Sequence, residues 1–153
     1  MHLSSDIIKT LQGKTLATAE SCTGGGIGAA LTAISGSSAV YKGGIISYTN
    51  QVKENLLGVP GEMLEEYGAV SELVAQAMAV GARKALQADV AVSVTGLAGP
   101  GGDEFGNPVG TVFIGYADDK KSYANKYLFV GDREAVRNQA IYTALQMILE
   151  ENK

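Results

Sequence analysis

The chain has 153 residues, 46% of them hydrophobic, and its 12 basic and 16 acidic residues give a formal net charge of -4. We expect one domain, residues 1–153, because this length can bury a single core. The scattered basic residues exclude the positive patch of a nucleic-acid-binding protein. No apolar stretch approaches the ~20 residues of a membrane span and no secretory signal begins the chain, so we expect a cytoplasmic protein without membrane contact.

Apolar periodicity and capping residues predict that helices and strands alternate in the first half of the chain. In order, the predicted elements are a helix from Ser4 or Ser5 to Leu11, a strand Thr15–Ala19, a helix Thr23–Ile34 and a strand Gly43–Tyr48. They are followed by two short helices and a longer amphipathic one: Asn50–Leu57, Gly61–Tyr67 and Ser71–Leu86, with Ser71 as the N-cap of the last.

Three strands then follow in succession before a closing helix: Ala91–Thr95, Gly110–Ala117, Ser122–Phe129 and the helix Arg133–Glu150, with Asp132 as its N-cap. Alternation followed by consecutive strands predicts an α/β fold class, a three-layer α/β/α sandwich on a mixed, mostly parallel sheet of about five strands. The antiparallel part is a hairpin whose two strands are joined at Asp118-Asp119-Lys120.

A glycine-rich turn joins the first predicted strand to the next helix. Ser21, Cys22 and Thr23 precede the glycines 24–26 at the carboxyl end of that strand, where open α/β sheets bind their ligands. Glycines are unfavourable at a helix start unless a ligand approaches the backbone closely. The turn therefore predicts a site with a hydroxyl or thiol nucleophile, although Ser21 or Thr23 as a helix cap and Cys22 as a small buried hydrophobe remain alternatives.

A second glycine-rich loop, residues 96–102, follows the strand Ala91–Thr95. Neither loop has the Walker A sequence or the dinucleotide-binding fingerprint. Because both loops follow strands at the same edge of the sheet, we expect one cleft between them, in which backbone N–H groups hold a phosphate or an oxyanion. The alternative for the second loop is a flexible surface connection.

The single histidine, His2, limits the possible chemistry. A Ser-His-Asp or Cys-His triad is excluded in practice because that residue lies at the chain end. One cysteine and one histidine also make a zinc site implausible, so we expect no metal and no cofactor. A lysine whose pKa is lowered by burial or by positive neighbours is the leading candidate for a general base.

Lys53 is such a lysine. With Asn50 as N-cap it falls in the first turn of a helix, where the helix dipole disfavours the ammonium form. Tyr48, at the end of the preceding strand, can hydrogen-bond the same centre. The alternative is that Lys53 faces solvent and Tyr48 lies at the sheet edge.

Arg133 and Arg137 lie four residues apart at the start of the closing helix and share one face. Two guanidinium groups on one face can bind an anionic ligand. The alternative is that they pair with the neighbouring carboxylates of Asp132 and Glu134 and remain exposed.

Six ordered blocks together resemble the CinA C-terminal family: residues 19–25, Tyr48-x-Asn50-x-x-Lys53 with 57–59, residues 68–71, 95–100, 108–111 and Gly131-Asp132-Arg133-x-x-x-Arg137. They span nearly the whole chain. The resemblance implies an α/β/α fold with a mixed sheet and a nicotinamide mononucleotide deamidase, a serine amidohydrolase that converts a carboxamide to a carboxylic acid and ammonia. Many members carry a further domain resembling molybdopterin-binding proteins, which this sequence does not contain.

By position, the resemblance places the serine nucleophile at Ser21 and the lysine base at Lys53, with Tyr48 beside them. Substrate-binding residues are then expected in the two loops and on the closing helix: Glu20, Cys22, Thr23, Gly24, Gly25, Thr95, Gly96, Gly99, Arg133 and Arg137. The expected partner is a small-molecule nucleotide, and a homo-oligomer is possible. Two alternatives stay open: a non-catalytic nucleotide-binding or competence-related module, and a cysteine amidohydrolase whose Cys22 thiolate is stabilised by the helix N-terminus.

Overall fold

The computed structural model describes residues 2–153, which contain one five-stranded sheet with helices on both faces. The helices are α1 (His2–Thr10), α2 (Gly26–Thr32), α3 (Asn50–Leu57), α4 (Gly61–Tyr67), α5 (Glu72–Leu86) and α6 (Arg133–Asn152). The strands are β1 (Leu16–Glu20), β2 (Tyr41–Ile46), β3 (Val90–Gly96), β4 (Thr111–Ala117) and β5 (Ser122–Leu128), and a short 3₁₀ turn covers Ser37–Ala39.

The sheet has the strand order β2-β1-β3-β4-β5. β1 is parallel to both of its neighbours, β2 and β3, whereas β4 is antiparallel to β3 and to β5. Within residues 2–153, four of the five strands therefore run in one direction and only β4 opposes them. This arrangement confirms the predicted three-layer α/β/α sandwich with a mixed, mostly parallel sheet.

The two faces of the sheet differ in side-chain size because residues alternate between them along each strand. In β3, Val90, Val92 and Val94 face one core with α1, α2 and α6, whereas Ala91 packs in a second core with α3, α4 and α5. Ser93, also on the second face, donates a hydrogen bond of 2.6 Å to the carbonyl of Ala75 in α5. Small side chains thus let α5 lie close to the sheet.

Several predicted boundaries differ from the structure. α1 begins at His2, so Ser4 is a buried helical residue and not a cap. α2 begins at Gly26 and not at Thr23, because Gly25 has φ = 100°, a left-handed conformation that an α-helix excludes. β2 ends at Ile46, two residues earlier than predicted. The predicted caps Ser71 and Asp132 are confirmed, since each side chain accepts a hydrogen bond from a backbone N–H.

The helix that carries Lys53 also starts differently. Thr49, not Asn50, is the N-cap of α3, and its hydroxyl accepts a hydrogen bond from the N–H of Val52. Lys53 is therefore one position further into the helix than predicted, where the helix dipole acts more weakly on it. None of the helices described between residues 2 and 153 is long and apolar enough to cross a membrane.

Candidate active site

A cavity of about 310 Å³ opens at the carboxyl ends of β1, β2 and β3. Its volume lies at the lower end of the range for small-molecule pockets. The lining residues come from the turn after β1, the segment after β2, α3, the connection between α4 and α5, the end of β3 with the loop after it, and α6. They are Ser21, Cys22, Tyr48, Asn50, Lys53, Ala69, Val70, Thr95–Gly99, Gly101 and Arg133. The turn after β1 and the glycine-rich loop after β3 therefore contribute to one cleft, as their shared position at one edge of the sheet predicted.

Ser21 and Lys53 meet in this cavity. The side-chain nitrogen of Lys53 lies 3.1 Å from the hydroxyl oxygen of Ser21 and donates a hydrogen bond of 2.7 Å to the carbonyl of Ser47. Ser21 is 7% exposed and Lys53 only 1% exposed, so the solvent-facing alternative for Lys53 is wrong. The distance is within the reach that proton transfer from a hydroxyl to an amine requires.

Burial lowers the pKa of Lys53 from its usual 10.5 to about 8, and the nearby Cys22 thiol opposes this slightly. The cause is desolvation, which penalises the ammonium form, as expected from the sequence for a buried lysine. At pH 7 about one molecule in ten therefore carries a neutral Lys53 amine. Such an amine has a free lone pair directed at a buried hydroxyl.

Backbone hydrogen bonds between strands set the spacing of this pair. The N–H of Ser21 donates to the carbonyl of Val94 in β3 at 3.0 Å. The N–H of Ser47 donates to the carbonyl of Glu20 at 2.8 Å, which extends the parallel pairing of Glu20 with Ile46 by one step. The nucleophile candidate and the acceptor of Lys53 thus lie at neighbouring strand ends, held in register by the sheet.

Glu20 does not reach the cavity, although the sequence suggested that it binds substrate. Its carboxylate is 2% exposed and accepts hydrogen bonds from the hydroxyls of Thr18 and Thr23 and from the N–H groups of Ile27 and Gly28. The last two belong to the first turn of α2, whose free N–H groups and dipole favour a carboxylate. Glu20 therefore stabilises the turn that carries Ser21 through these buried hydrogen bonds.

Arg137 also supports the turn. Its guanidinium donates hydrogen bonds to the carbonyls of Cys22 and Thr23, at 3.0 and 3.2 Å. Thr23 is fully buried, and Gly24 and Gly25 adopt left-handed conformations beside it. Four predicted substrate-binding residues, Thr23, Gly24, Gly25 and Arg137, therefore build the turn and do not line the cavity.

Arg133 and Tyr48 lie at the open side of the cavity. The Arg133 guanidinium donates to the carbonyl of Gly99 at 2.6 Å and to the hydroxyl of Tyr48 at 3.2 Å. Tyr48 is 60% exposed, and within the described residues its hydroxyl makes no hydrogen bond to Ser21 or Lys53. Arg133 is exposed as well, so its remaining N–H groups can bind an anion at the mouth of the cavity.

The end of β3 and the loop after it form another wall of the cavity. The hydroxyl of Thr95 is used structurally, because it donates to the carbonyl of Ala69 at 2.8 Å. Gly96 must be a glycine, since a Cβ there would lie 2.6 Å from the Val112 side chain and 2.9 Å from the Thr111 carbonyl oxygen. Gly99 contributes its carbonyl to Arg133.

Among the cavity-lining backbone N–H groups without an acceptor in residues 2–153 are those of Cys22, Ala98 and Gly99. Unpaired N–H groups beside a nucleophile are what an oxyanion hole requires. The N–H of Cys22 follows Ser21 directly, which is the arrangement in hydrolases with a serine on a tight strand-to-helix turn.

Sequence reasoning missed Ser47. It lies one residue beyond the carboxyl end of β2, so the strand-end rule that selected Ser21 would also have selected Ser47 had the end of β2 been placed correctly. A second, larger cavity of about 860 Å³ adjoins the first and shares Asn50, Ala69, Val70 and Leu97 with it. Its other lining residues include four carboxylates: Glu54, Glu65, Asp103 and Glu104.

The fold and the cavity define an α/β protein whose candidate site lies where three neighbouring parallel strands end. The chain belongs to the CinA C-terminal domain family, whose model matches residues 2–152. This finding confirms the resemblance seen in the sequence.

Named relatives and solved structures agree. The chain is 50% identical to a CinA-like protein of Rippkaea orientalis over 137 residues, 88% of this chain and 33% of that protein. It is 44% identical to the nicotinamide-nucleotide amidohydrolase PncC of Escherichia coli over 99% of this chain and 93% of that protein. The competence/damage inducible protein CihA of Agrobacterium tumefaciens has a TM-score of 0.95 and 40% identity, covering 99% of this chain and 94% of that one. The chain thus spans about a third of the length of the CinA-like relative and nearly all of PncC.

Proposed function

We propose that this chain is a nicotinamide mononucleotide deamidase, which hydrolyses the carboxamide of the nucleotide to nicotinic acid mononucleotide and ammonia. The observation that carries the proposal is the contact of 3.1 Å between the buried Lys53 amine and the Ser21 hydroxyl in a cavity at the strand ends. The similarity to PncC along nearly the whole of both chains supports the choice of substrate.

In the first half of the proposed reaction, the Ser21 hydroxyl oxygen attacks the carboxamide carbon and the neutral Lys53 amine accepts the hydroxyl proton. The carbonyl oxygen becomes an oxyanion, for which the N–H groups of Cys22, Ala98 and Gly99 are the candidate donors. The Lys53 ammonium then gives its proton to the departing nitrogen. The C–N bond breaks, ammonia leaves, and the nicotinoyl group remains as an ester on Ser21.

In the second half, water attacks the ester carbon and Lys53 accepts a proton from that water. The C–O bond to Ser21 breaks, Lys53 returns the proton to the serine oxygen, and the carboxylic acid product leaves. Arg133, exposed at the mouth of the cavity, is the candidate for binding the phosphate of the nucleotide. Tyr48, which accepts a hydrogen bond from Arg133, would orient that guanidinium.

The cysteine alternative is disfavoured by the environment of Cys22. Burial raises the pKa of this thiol from 9.0 to about 11, so the reactive thiolate is scarce near neutral pH. The helix N-terminus that was expected to stabilise a thiolate begins only at Gly26. A Cys22→Ala protein should therefore keep its deamidase activity, and full loss of activity would return Cys22 to consideration.

The decisive experiment measures ammonia release from nicotinamide mononucleotide by the wild type, Ser21→Ala and Lys53→Ala. We expect each substitution to lower kcat/KM by at least a hundredfold, because each removes a group that acts in the transition state. Ser35→Ala and Lys84→Ala change exposed residues of the same types and serve as matched controls.

Each possible result has a distinct meaning. Near-wild-type turnover in Ser21→Ala or Lys53→Ala would rule out the proposed roles. Calorimetric binding of the nucleotide without any turnover by the wild type would identify a nucleotide-binding module instead of an enzyme.

A further inference from the structure

The side chain of Ser47 is exceptional in this structure. It is fully buried, and across residues 2–153 its hydroxyl oxygen is the one buried side-chain nitrogen or oxygen atom without a hydrogen-bond partner. Leaving such a group unpaired is costly, and native proteins do so rarely. The unpaired hydroxyl belongs to the residue whose carbonyl holds Lys53 at 2.7 Å.

The hydrogen-bonding capacity of Lys53 is not filled either. An ammonium group has three N–H donors, and Lys53 has two neighbours within hydrogen-bond distance: the Ser47 carbonyl and the Ser21 hydroxyl. Lys53 is 1% exposed, so solvent does not readily supply the third partner. An unfilled donor and an unfilled acceptor therefore lie in the same buried site.

The Ser47 hydroxyl can change its position by rotation about a single bond. The hydroxyl and the carbonyl of Ser47 belong to one residue, and the side chain can occupy three staggered positions about its Cα–Cβ bond. Since the carbonyl of the same residue lies 2.7 Å from the Lys53 nitrogen, a change of rotamer alters the position of the hydroxyl near that nitrogen without any movement of the backbone.

We propose that Ser47 is a positioning residue: its hydroxyl turns to accept the third hydrogen bond of Lys53 when Lys53 takes the proton of Ser21, and so holds the ammonium toward the leaving nitrogen. The proposal rests on the deamidase mechanism above. No proton passes through Ser47. The ammonium keeps its three protons until one moves to the departing amine.

In a molecule that carries the neutral Lys53 amine, the need for this partner arises when the amine takes the Ser21 proton. A neutral Lys53 amine is served by the Ser47 carbonyl and by the Ser21 hydroxyl, which donates to its lone pair. Once protonated, the nitrogen carries a positive charge in a desolvated site, where an additional acceptor is most effective. A hydroxyl without a partner in the resting protein is therefore available at the step that creates the charge.

The test compares the wild type, Ser47→Ala and Ser47→Thr, with Ser37→Ala as a control at a buried serine outside the cavity. Two readouts are measured: kcat and KM for the nucleotide, and the pH dependence of Ser21 phosphonylation by a fluorophosphonate, followed by intact mass. The second readout depends on the serine and lysine but not on the identity of the substrate.

We expect Ser47→Ala to lower kcat about tenfold to a hundredfold with little change in KM, because the variant lacks an acceptor for the ammonium that forms on proton transfer. Loss of an acceptor disfavours the ammonium, so the midpoint of the labelling profile should move to lower pH. Ser47→Thr keeps the hydroxyl and should restore both values, whereas Ser37→Ala should match the wild type.

Unchanged kcat and labelling midpoint in Ser47→Ala would overturn the proposal, as would a Ser47→Thr protein no better than Ser47→Ala. If circular dichroism shows that Ser47→Ala is unfolded, Ser47→Cys, which keeps the volume but is a weak acceptor, is judged by the same two readouts. A wild type that is not labelled at Ser21 and releases no ammonia overturns the function itself. Labelling with unchanged Ser47 variants overturns only the role of Ser47.

Discussion

The carboxylate of Glu20 and the N–H of Gly28 are joined by a hydrogen bond of 2.9 Å, which ties the end of β1 to the first turn of α2. Ser21 lies within the short segment that this bond closes. The position of the nucleophile candidate therefore depends on a buried carboxylate that makes no contact with the cavity.

Replacing Glu20 by Gln should weaken the protein and its activity together. An amide retains one oxygen acceptor but presents an NH₂ group where the second carboxylate oxygen accepted hydrogen bonds from Gly28 and Thr18. We expect the free energy of unfolding to fall by about 2 kcal/mol, measured in urea, and kcat to fall with it. Asp119→Asn makes the same chemical change at an exposed turn and should have little effect. A Glu20→Gln protein of unchanged stability would contradict this role.

Replacing Lys53 by Met should abolish activity and stabilise the protein near neutral pH. A pKa lowered from 10.5 to about 8 corresponds to a cost of about 3 kcal/mol for the buried ammonium at pH 7. Loss of the hydrogen bond to the Ser47 carbonyl offsets part of this cost, so we expect a gain of about 2 kcal/mol in the free energy of unfolding. Lys84→Met, at an exposed lysine, should give no such gain.

The pH dependence of that gain provides a sharper test. Between the folded pKa of about 8 and the unfolded value of 10.5, the unfolded chain holds the Lys53 proton and the folded protein does not. The stability of the wild type relative to Lys53→Met should therefore increase as the pH rises through this interval and stay constant below it. A difference that does not change with pH would show that the Lys53 pKa is not lowered.

The deamidase activity should depend on the same titration of Lys53. Only the neutral amine accepts a proton, so kcat/KM should rise about tenfold per pH unit below 8 and level off above it. A pH series of ammonia release, with protein integrity checked at each point, measures this. Lys53→Arg remains charged throughout the range and should be inactive at every pH. An activity profile that is flat between pH 6 and 9 would exclude Lys53 as the base.

The two arginines at the start of α6 should behave differently. Arg133→Ala should raise KM for the nucleotide with little change in thermal stability, because this guanidinium is exposed at the cavity mouth. Arg137→Ala should lower the melting temperature by several degrees, because it removes two hydrogen bonds to the carbonyls of the Ser21 turn. Calorimetry and steady-state kinetics on both variants separate the two roles, and equal effects on KM without a change in stability would contradict them.

The sequence was sufficient to predict the layers of the fold and a cavity at the strand ends, because the periodicity of strands and helices is a local property of the chain. It also placed Ser21 directly after a strand and Lys53 near the start of a helix, and both line that cavity. It could not separate Arg133 from Arg137, since both lie on one helical face and only the path of the neighbouring turn decides which one reaches carbonyl groups. Glu20 was misassigned for a related reason: its side chain points away from the cavity although its neighbour Ser21 faces it.

The start of α2 illustrates a further limit. Capping statistics favour Thr23 as the beginning of a helix, but the left-handed Gly24 and Gly25 delay it to Gly26. The backbone conformation of a glycine depends on what packs around it. Here the turn is held by Arg137, which is distant from the glycines in the sequence, and by the buried carboxylate of Glu20.

The parallel register that aligns Ser21 with Ser47 has a consequence for motion. The amide of Ser21 is bonded to the carbonyl of Val94 in the central strand β3, whereas the amide of Ser47, just beyond the edge strand β2, is bonded to the carbonyl of Glu20 in β1. Central strands open only by large-scale unfolding, so the Ser21 amide should be among the slowest in the molecule to exchange with deuterium and the Ser47 amide should exchange faster. Ser21 would then be held by the stiffest part of the protein, and adaptation to the nucleotide would fall to the edge strand, the Gly99 loop and the Arg133 side chain.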